Sequence, residues 1–495
     1  MKRLVLIGFM LVLGLTAVAC GGVTTTAVTT AAATTTAATT AATTTQAGTT
    51  AATTTAATTA TTTTAATTAA TTTTEAPITV QGVTATTILI GNTAATTGYF
   101  AGVGVPFNAG IEAVLKLVND AGGIDGRTIN FIHYDDTFVA STGLTYTQRL
   151  VEEDEVFALV GHFGTPTVGA TLEYIQEVGV PMVYAATGIN ALYFAESVGN
   201  PVMAVQPIYM TDGRIMAARA VQEEIYGETK DQPLAAGEKV GVIYTNDDVG
   251  LSIKAGIEIE AEILGRTADF SYQSVSTYTF NTAVTMLKAA GVKTVILAMN
   301  QEPFGYALTA MSNLALNVPV FSSYVNADIT VVDQFRYNVN RPIYVNAWLD
   351  IFDPEGLYGF AQSYWDFVAV MTAAGYDGNT EGKANYTANS FAMAGYIAAS
   401  VFVEGLKRVE TNAEDLTWAT YIAAMEESAI DIPMGGVVDF SGGKRWGIAS
   451  MALMQYGITL GDNPATLDVT ETDYILAEAF TKVRPIQTIE EIEGN

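Results

Sequence analysis

From Ile88 onward the chain repeats one unit, a short apolar run that ends in small or polar residues and is followed by a stretch with helical spacing. The first four runs are "ILIGNTAA" from Ile88, "INFIHYDD" from Ile129, "FALVGH" from Phe157 and "VPMVYAAT" from Val180. Between the first two, Ile111, Val114, Leu115 and Val118 fall at i, i+3, i+4 and i+7, and Gly122-Gly123 follows as a stop. Strand then helix, repeated, predicts a parallel sheet with helices on both faces. The alternation restarts after Gln206-Pro207 with "KVGVIYTND" from Lys239, "KTVILAMN" from Lys293 and "VPVFSSY" from Val318. Helical segments lie around Ile215 to Ile225 and Val249 to Leu264. The expected architecture is therefore α/β, with two doubly wound, Rossmann-like lobes and a ligand cleft where the carboxyl ends of their strands open.

What precedes Ile78 has a different character. Lys2 and Arg3 are followed by an apolar run from Leu4 to Leu15 and then by small residues, the anatomy of an export signal over residues 1–19. The run is shorter than the roughly 20 residues that a membrane-spanning helix needs. Cys20 is the single cysteine of the 495 residues, so no internal disulfide is available and the exported domain must rest on its core. "TAVAC" resembles the lipobox of bacterial lipoproteins, in which the signal is cut before the cysteine and the new terminus is lipidated; Ala17 stands where that motif more often has leucine. From Val23 to Thr74 the chain is almost entirely threonine and alanine, with no apolar stripe to pack. Residues 20–77 are thus expected to be a disordered tether with a root-mean-square reach on the order of 40 Å. The formal net charge of -28 repels a phosphate backbone and argues against a nucleic-acid partner.

The stretch "LVGHFGTPT", Leu159 to Thr167, carries the first candidate site. Thr165 followed by Pro166 predicts a helix start, with the threonine capping free amides and the proline at the first helical position. That helix would aim its N-H groups and the positive end of its dipole into the cleft, a place for an anion such as a carboxylate. At the end of the next strand, Ala185-Ala186-Thr187 offers close backbone and a hydroxyl. His162 has no serine or cysteine nucleophile at a recognisable spacing, so a structural role is expected for it rather than catalysis. Asp135-Asp136 and Asp247-Asp248 end strands and are read as helix caps or solvated groups rather than metal ligands. Trp348 and Trp365 are read as core. "GYFAGVG" from Gly98 lacks the spacing of a dinucleotide site, and no cofactor is implied.

Three blocks, "NDAGGIDGRTINFIHYDD", "LVGHFGTPT" and "VPMVYAAT", stand in the order and spacing of the leucine/isoleucine/valine-binding proteins of ABC importers, the type I periplasmic binding proteins, and the resemblance runs from about Ile88 to about Tyr456. It implies lobes joined by three crossings, near Gln206-Pro207, Pro342-Ile343 and Val437 to Phe440. Lobe 1 would then comprise residues 78–207 and 343–438, and lobe 2 residues 208–342 and 439–495. It also implies that the ligand's carboxylate is held at Thr165 and at the positions of Ala185 and Thr187, with Tyr386 as an aromatic lining residue. Val103 and Val249 stand where the family commonly has tyrosines, and the region of Val249 and Asn300 would close over the tail. The family's glutamate for an amino group would fall near Tyr324 or Val325, and neither is acidic; Asp328 takes that place only if the register shifts by a few residues. A buried ammonium without a counter-charge is costly, so the expected ligand is a carboxylate or amide with an uncharged tail.

The resemblance implies a lipid-anchored, extracytoplasmic and monomeric solute-binding subunit that partners an ABC permease and performs no catalysis. A ligand-sensing receptor subunit of a signalling system would use the same fold. Replacing Cys20 with serine is expected to move the protein from the membrane fraction to the soluble fraction, as read by immunoblot after fractionation.

Overall fold

The computed structural model describes residues 80–276, 279–333, 341–352, 360–461 and 474–494. The expected export signal, Cys20 and the threonine-alanine tract lie outside the described residues. The first lobe is built on β1 (Thr87–Ala94), α1 (Ala101–Asp120), β2 (Thr128–Asp135), α2 (Ala140–Glu152), β3 (Ala158–Val160), α3 (Thr165–Val178), β4 (Met182–Val183) and β5 (Val202–Met203). Its strands are all parallel and lie in the order β2-β1-β3-β4-β5.

The second lobe continues with α4 (Tyr209–Gln222), β6 (Val240–Thr245), α5 (Asp248–Ile263), β7 (Phe270–Val275), α6 (Asn281–Ala290), β8 (Thr294–Ala298), α7 (Gln301–Asn313), β9 (Val320–Ser322), α8 (Ile329–Asp333) and β10 (Ile343–Ala347). The parallel part of this sheet runs β7-β6-β8-β9-β10, which repeats the order of the first lobe strand for strand. The chain then forms α9 (Gln362–Ala373), α10 (Ser390–Thr411), α11 (Trp418–Met425) and a short hairpin of β11 (Ile430–Asp431) and β12 (Val437–Val438). It ends in β13 (Ser450–Gly461), β14 (Tyr474–Thr488) and α12 (Ile489–Glu493). β13 and β14 extend the second sheet antiparallel beyond β10.

Each apolar run of the sequence is a strand, and several central ones, such as β3, β9 and β8 "TVILA", are buried along their whole length. Strands covered by helices on both faces call for such unbroken apolar runs. β7, "FSYQSV", is an edge strand buried only at its two ends, so it carries no such run.

The crossings depart from the sequence expectation in position. The first lies at Gln206-Pro207, between β5 and α4. The second does not fall at Pro342-Ile343, because Ile343 to Ala347 pair with β9 inside the second sheet; the chain leaves that sheet only after Ala347. The third comes after Phe440, because Gly443 and Arg445 still pair with Ser197 and Phe194 of the first lobe, and Ile448 donates to the carbonyl of Val205 before β13 begins.

Each lobe packs a pair of helices through glycine. A Cβ at Gly110 of α1 would stand 2.1 Å from the carbonyl oxygen of Ala392 in α10, and one at Gly395 of α10 would stand 1.8 Å from that of Phe107. In the second lobe Gly213 of α4 and Gly256 of α5 meet the carbonyls of Ile253 and Met210 in the same way, at 2.1 and 2.0 Å. A methyl group cannot enter either contact without separating the helices. Gly110→Ala is therefore expected to cost about 1–3 kcal/mol and lower the melting temperature by several degrees in a circular dichroism melt, whereas Gly102→Ala, with open space around its position, should leave the melt unchanged.

Candidate functional site

The carboxyl ends of both sheets open on one cavity of about 510 Å³. From the first lobe it receives Phe100 at the start of α1, Phe138 between β2 and α2, Phe163 to Thr165 after β3, and Ala186 after β4. From the second lobe come Asn300 and Gln301 after β8, Tyr324 and Val325 after β9, and Ala347 at the end of β10 with Trp348 beyond it. The volume lies within the roughly 300–1,000 Å³ of clefts that hold organic ligands. The wall is aromatic: Phe100 and Phe138 stack with centroids 3.9 Å apart, and Phe138 and Phe107 each meet Phe163 at a tilt, with centroids 6.2 and 5.8 Å away.

The loop after β3 is shaped by what lies beneath it. Asn92 of β1 donates to the carbonyl of Gly161 at 3.0 Å, and Ala186 donates to that of His162 at 2.8 Å. Gly164 then adopts φ +97°, a conformation that glycine reaches readily, and it is the residue that starts α3. Thr165 is thus the first residue of the helix and caps nothing. Its hydroxyl lies instead 2.7 Å from that of Thr187 and 3.3 Å from that of Tyr209. The amides of the first turn have no partner within the helix, and with the Thr165 hydroxyl they form one polar end of a largely apolar chamber.

His162 is wholly buried beneath that loop. The hydroxyls of Thr147 and Thr171 face its Nε2 at 3.1 and 3.4 Å, and both spend their protons on carbonyls, of Gly143 and Thr167. Nε2 therefore carries the proton and donates to them, and Nδ1 accepts weakly from the Thr93 amide at 3.5 Å. Burial pushes its pKa down to about 3. It is a neutral strut under the binding loop.

Four of the residues expected from the sequence, Val103, Thr165, Asn300 and Val325, line the cavity. Asn300 also accepts the Gln301 amide as the cap of α7. Thr187 stands behind Thr165 and reaches the cavity only through it. Ala185 is buried with its amide spent on the carbonyl of Met203, and its neighbour Ala186 takes the lining position. Val249 is buried in the core on the first turn of α5, and Tyr386 packs on Tyr376 at 6.0 Å; neither lines the cavity. Asp247 caps α5 through the Gly250 amide. Asp136 neither caps a helix nor faces water: it is buried and accepts hydrogen bonds from Thr93, Thr167 and the Phe138 amide, and burial raises its pKa.

Sequence reasoning missed the aromatic walls. Trp348 is buried in the core, as read, and also lines the cavity, whereas Trp365 is half exposed rather than core. Phe100 sits in the glycine-rich "GYFAGVG", dismissed for lacking nucleotide spacing, and this stretch enters α1 at the rim of the chamber. Position after a strand's carboxyl end was the available signal.

Two sheets of one topology with a shared chamber at their carboxyl ends define a two-lobed solute-binding protein. Residues 87–459 match the periplasmic binding protein family, and the chain belongs to that family. An "Amino acid binding protein" of Pseudomonas aeruginosa is 23% identical over 261 residues, spanning 52% of this chain and 65% of the relative. A "Leu/Ile/Val-binding protein homolog 1" of Brucella abortus is 27% identical over 232 residues, spanning 46% of this chain and 57% of that one. The matches thus cover less than two thirds of either relative's length. A fatty acid ABC transporter substrate-binding protein from Thermomonospora curvata superposes with a TM-score of 0.63 at 17% identity, covering 84% of this chain and 96% of that one, and shows the same fold.

Because the folded state refuses a proton that the unfolded chain accepts on His162 near pH 6.5, this residue's contribution is complete above about pH 6.5 and is lost as pH falls toward about 3. His162→Gln is expected to narrow the gap in melting temperature between pH 7 and pH 4.5, as read by scanning calorimetry.

Proposed function

We propose that this protein is the extracytoplasmic solute-binding lipoprotein of an ABC importer, anchored through lipidated Cys20 and closing its lobes over one small organic solute. The observation that carries the reading is the chamber bounded by the carboxyl ends of both sheets, with a polar end at Gly164 and Thr165 and largely apolar, aromatic walls beyond it. The solute's head, a carboxylate or amide, lies against the first turn of α3 and the Thr165 hydroxyl, and its body lies among the phenylalanines. The segments that connect the lobes act as the hinge, and the closed form is what the permease recognises. Binding and release suffice for this role, so no bond is broken. The threonine-alanine tract holds the domain at a distance from the membrane, and the protein acts as a monomer.

A thermal-shift screen of the full chain against carboxylates, carboxamides and amino acids tests this. A solute at a hundred times its dissociation constant adds about 2.7 kcal/mol and raises the midpoint by a few degrees. Thr165→Val removes a hydrogen bond to a charged head worth about 1.5–3 kcal/mol, so calorimetry on the solute found should show affinity falling roughly 10- to 100-fold. An unchanged affinity would place the solute elsewhere.

A further inference from the structure

The chamber's polar groups say which solutes it admits. Asp328 is the only charged side chain among its described lining residues, and it is 3% exposed. Its Oδ1 accepts from the amide and hydroxyl of Thr330, at 2.9 and 2.5 Å. Its Oδ2 accepts from the amide and hydroxyl of Ser390, at 3.0 and 2.6 Å. A carboxylate offers about four lone-pair sites, and these donors take them all. Ser390 opens α10, which packs on α1 of the first lobe, while Asp328 precedes α8 of the second. The carboxylate is therefore spent on fastening one lobe to the other, and an ammonium group could reach it only by breaking that fastening.

Gln301 presents the opposite situation. Its Nε2 donates to the carbonyl of Val325 at 2.9 Å, which fixes the orientation of the amide, and its Oε1 is buried without a partner in a residue 7% exposed on the chamber wall. A buried acceptor without a donor is unfavourable and calls for one on the solute. Being neutral, it suits an amide N-H or a hydroxyl and supplies no counter-charge to an ammonium. No lysine, arginine or histidine is among the described lining residues; the positive field there comes from the first turns of α3 and α7, which favour an anionic or carbonyl head.

We propose that the chamber selects a monopolar amphiphile, one carboxylate or carboxamide head on an aryl or alkyl body with no ammonium group, with Asp328 and Gln301 as the residues that set this preference. The inference rests on the solute-binding reading above and names the solute class for that same site. The stacked Phe100 and Phe138, together with Phe163 and Trp348, provide the surface for the body.

Titration calorimetry of the full chain with 3-phenylpropanoate, 3-phenylpropanamide and L-phenylalanine isolates the ammonium group, because L-phenylalanine adds only that group to the acid. The acid or the amide is expected to bind at least tenfold more tightly than L-phenylalanine. Gln301→Glu, which supplies a negative acceptor, is expected to narrow that ratio at least tenfold. L-phenylalanine binding as tightly as the acid, or no probe binding at all, overturns the proposed class. If L-phenylalanine wins and Asp328→Asn removes its binding, Asp328 is an ammonium receptor and the class is wrong while the site stands. If the acid wins but Thr165→Val leaves its affinity unchanged, the placement of the site itself fails.

Discussion

Parallel strands force the geometry on which everything else in this molecule depends. A strand can be followed by a parallel neighbour only if the chain returns over one face of the sheet, so every crossover starts at a carboxyl end. All such ends in one lobe point the same way. In both lobes the order places the first strand between the second and third, so successive helices depart to opposite faces and leave a crevice between the loops that follow β1 and β3, or β6 and β8. Phe100 and Thr165 reach the chamber from the first crevice, and Asn300 and Gln301 from the second.

Facing two such crevices requires a junction that is specific without being rigid throughout. The crossing at Gln206-Pro207 supplies one: Tyr324 donates to the carbonyl of Pro207 and accepts from Gln206 Nε2, and Tyr184 donates to Gln206 Oε1. All are buried, so each polar group must be satisfied here or not at all. A second network lies deeper. Arg219 of α4 donates to Asn346 of β10 and to the carbonyl of Met451 in β13, and Asn346 donates to Asp212. These bonds tie the helix that enters the second lobe to the strands that leave and re-enter it. Burial raises Asp212 to about 7, so the carboxyl is held near the point of neutrality beside an arginine that is itself depressed to about 10.

The polar end of the chamber was legible in the sequence because it is local. Thr165-Pro166 announces a helix start after a strand, and although the cap is Gly164 rather than Thr165, the first turn faces the chamber either way. The walls were not legible. Phe100, Phe138 and Trp348 are aromatic residues in a chain with many, and nothing in their own neighbourhoods distinguishes a residue facing a chamber from one facing the core. Val249 and Tyr386 failed for a related reason: correspondence by order along the chain does not say whether a side chain turns into the chamber or packs on a neighbour, as Tyr386 does on Tyr376. Asp328 was visible as an acid near the right place, but its saturation by Thr330 and Ser390 depends on a residue 62 positions away.

The sequence alone determined the repeated strand and helix elements, the lobes that follow from their restart after Gln206-Pro207, and the strand ends at which a ligand can be held. It could do so because burial on both faces of a strand and on one face of a helix writes its period directly into neighbouring residues. Tertiary structure decided the rest: that Ile343 to Ala347 complete the second sheet, that the final hairpin joins it antiparallel, and that α10 returns to α1 through paired glycines. It also decided which polar groups of the chamber the protein's own donors occupy. An acceptor is open or occupied according to the donors that distant segments bring to it, and no local pattern records that sum.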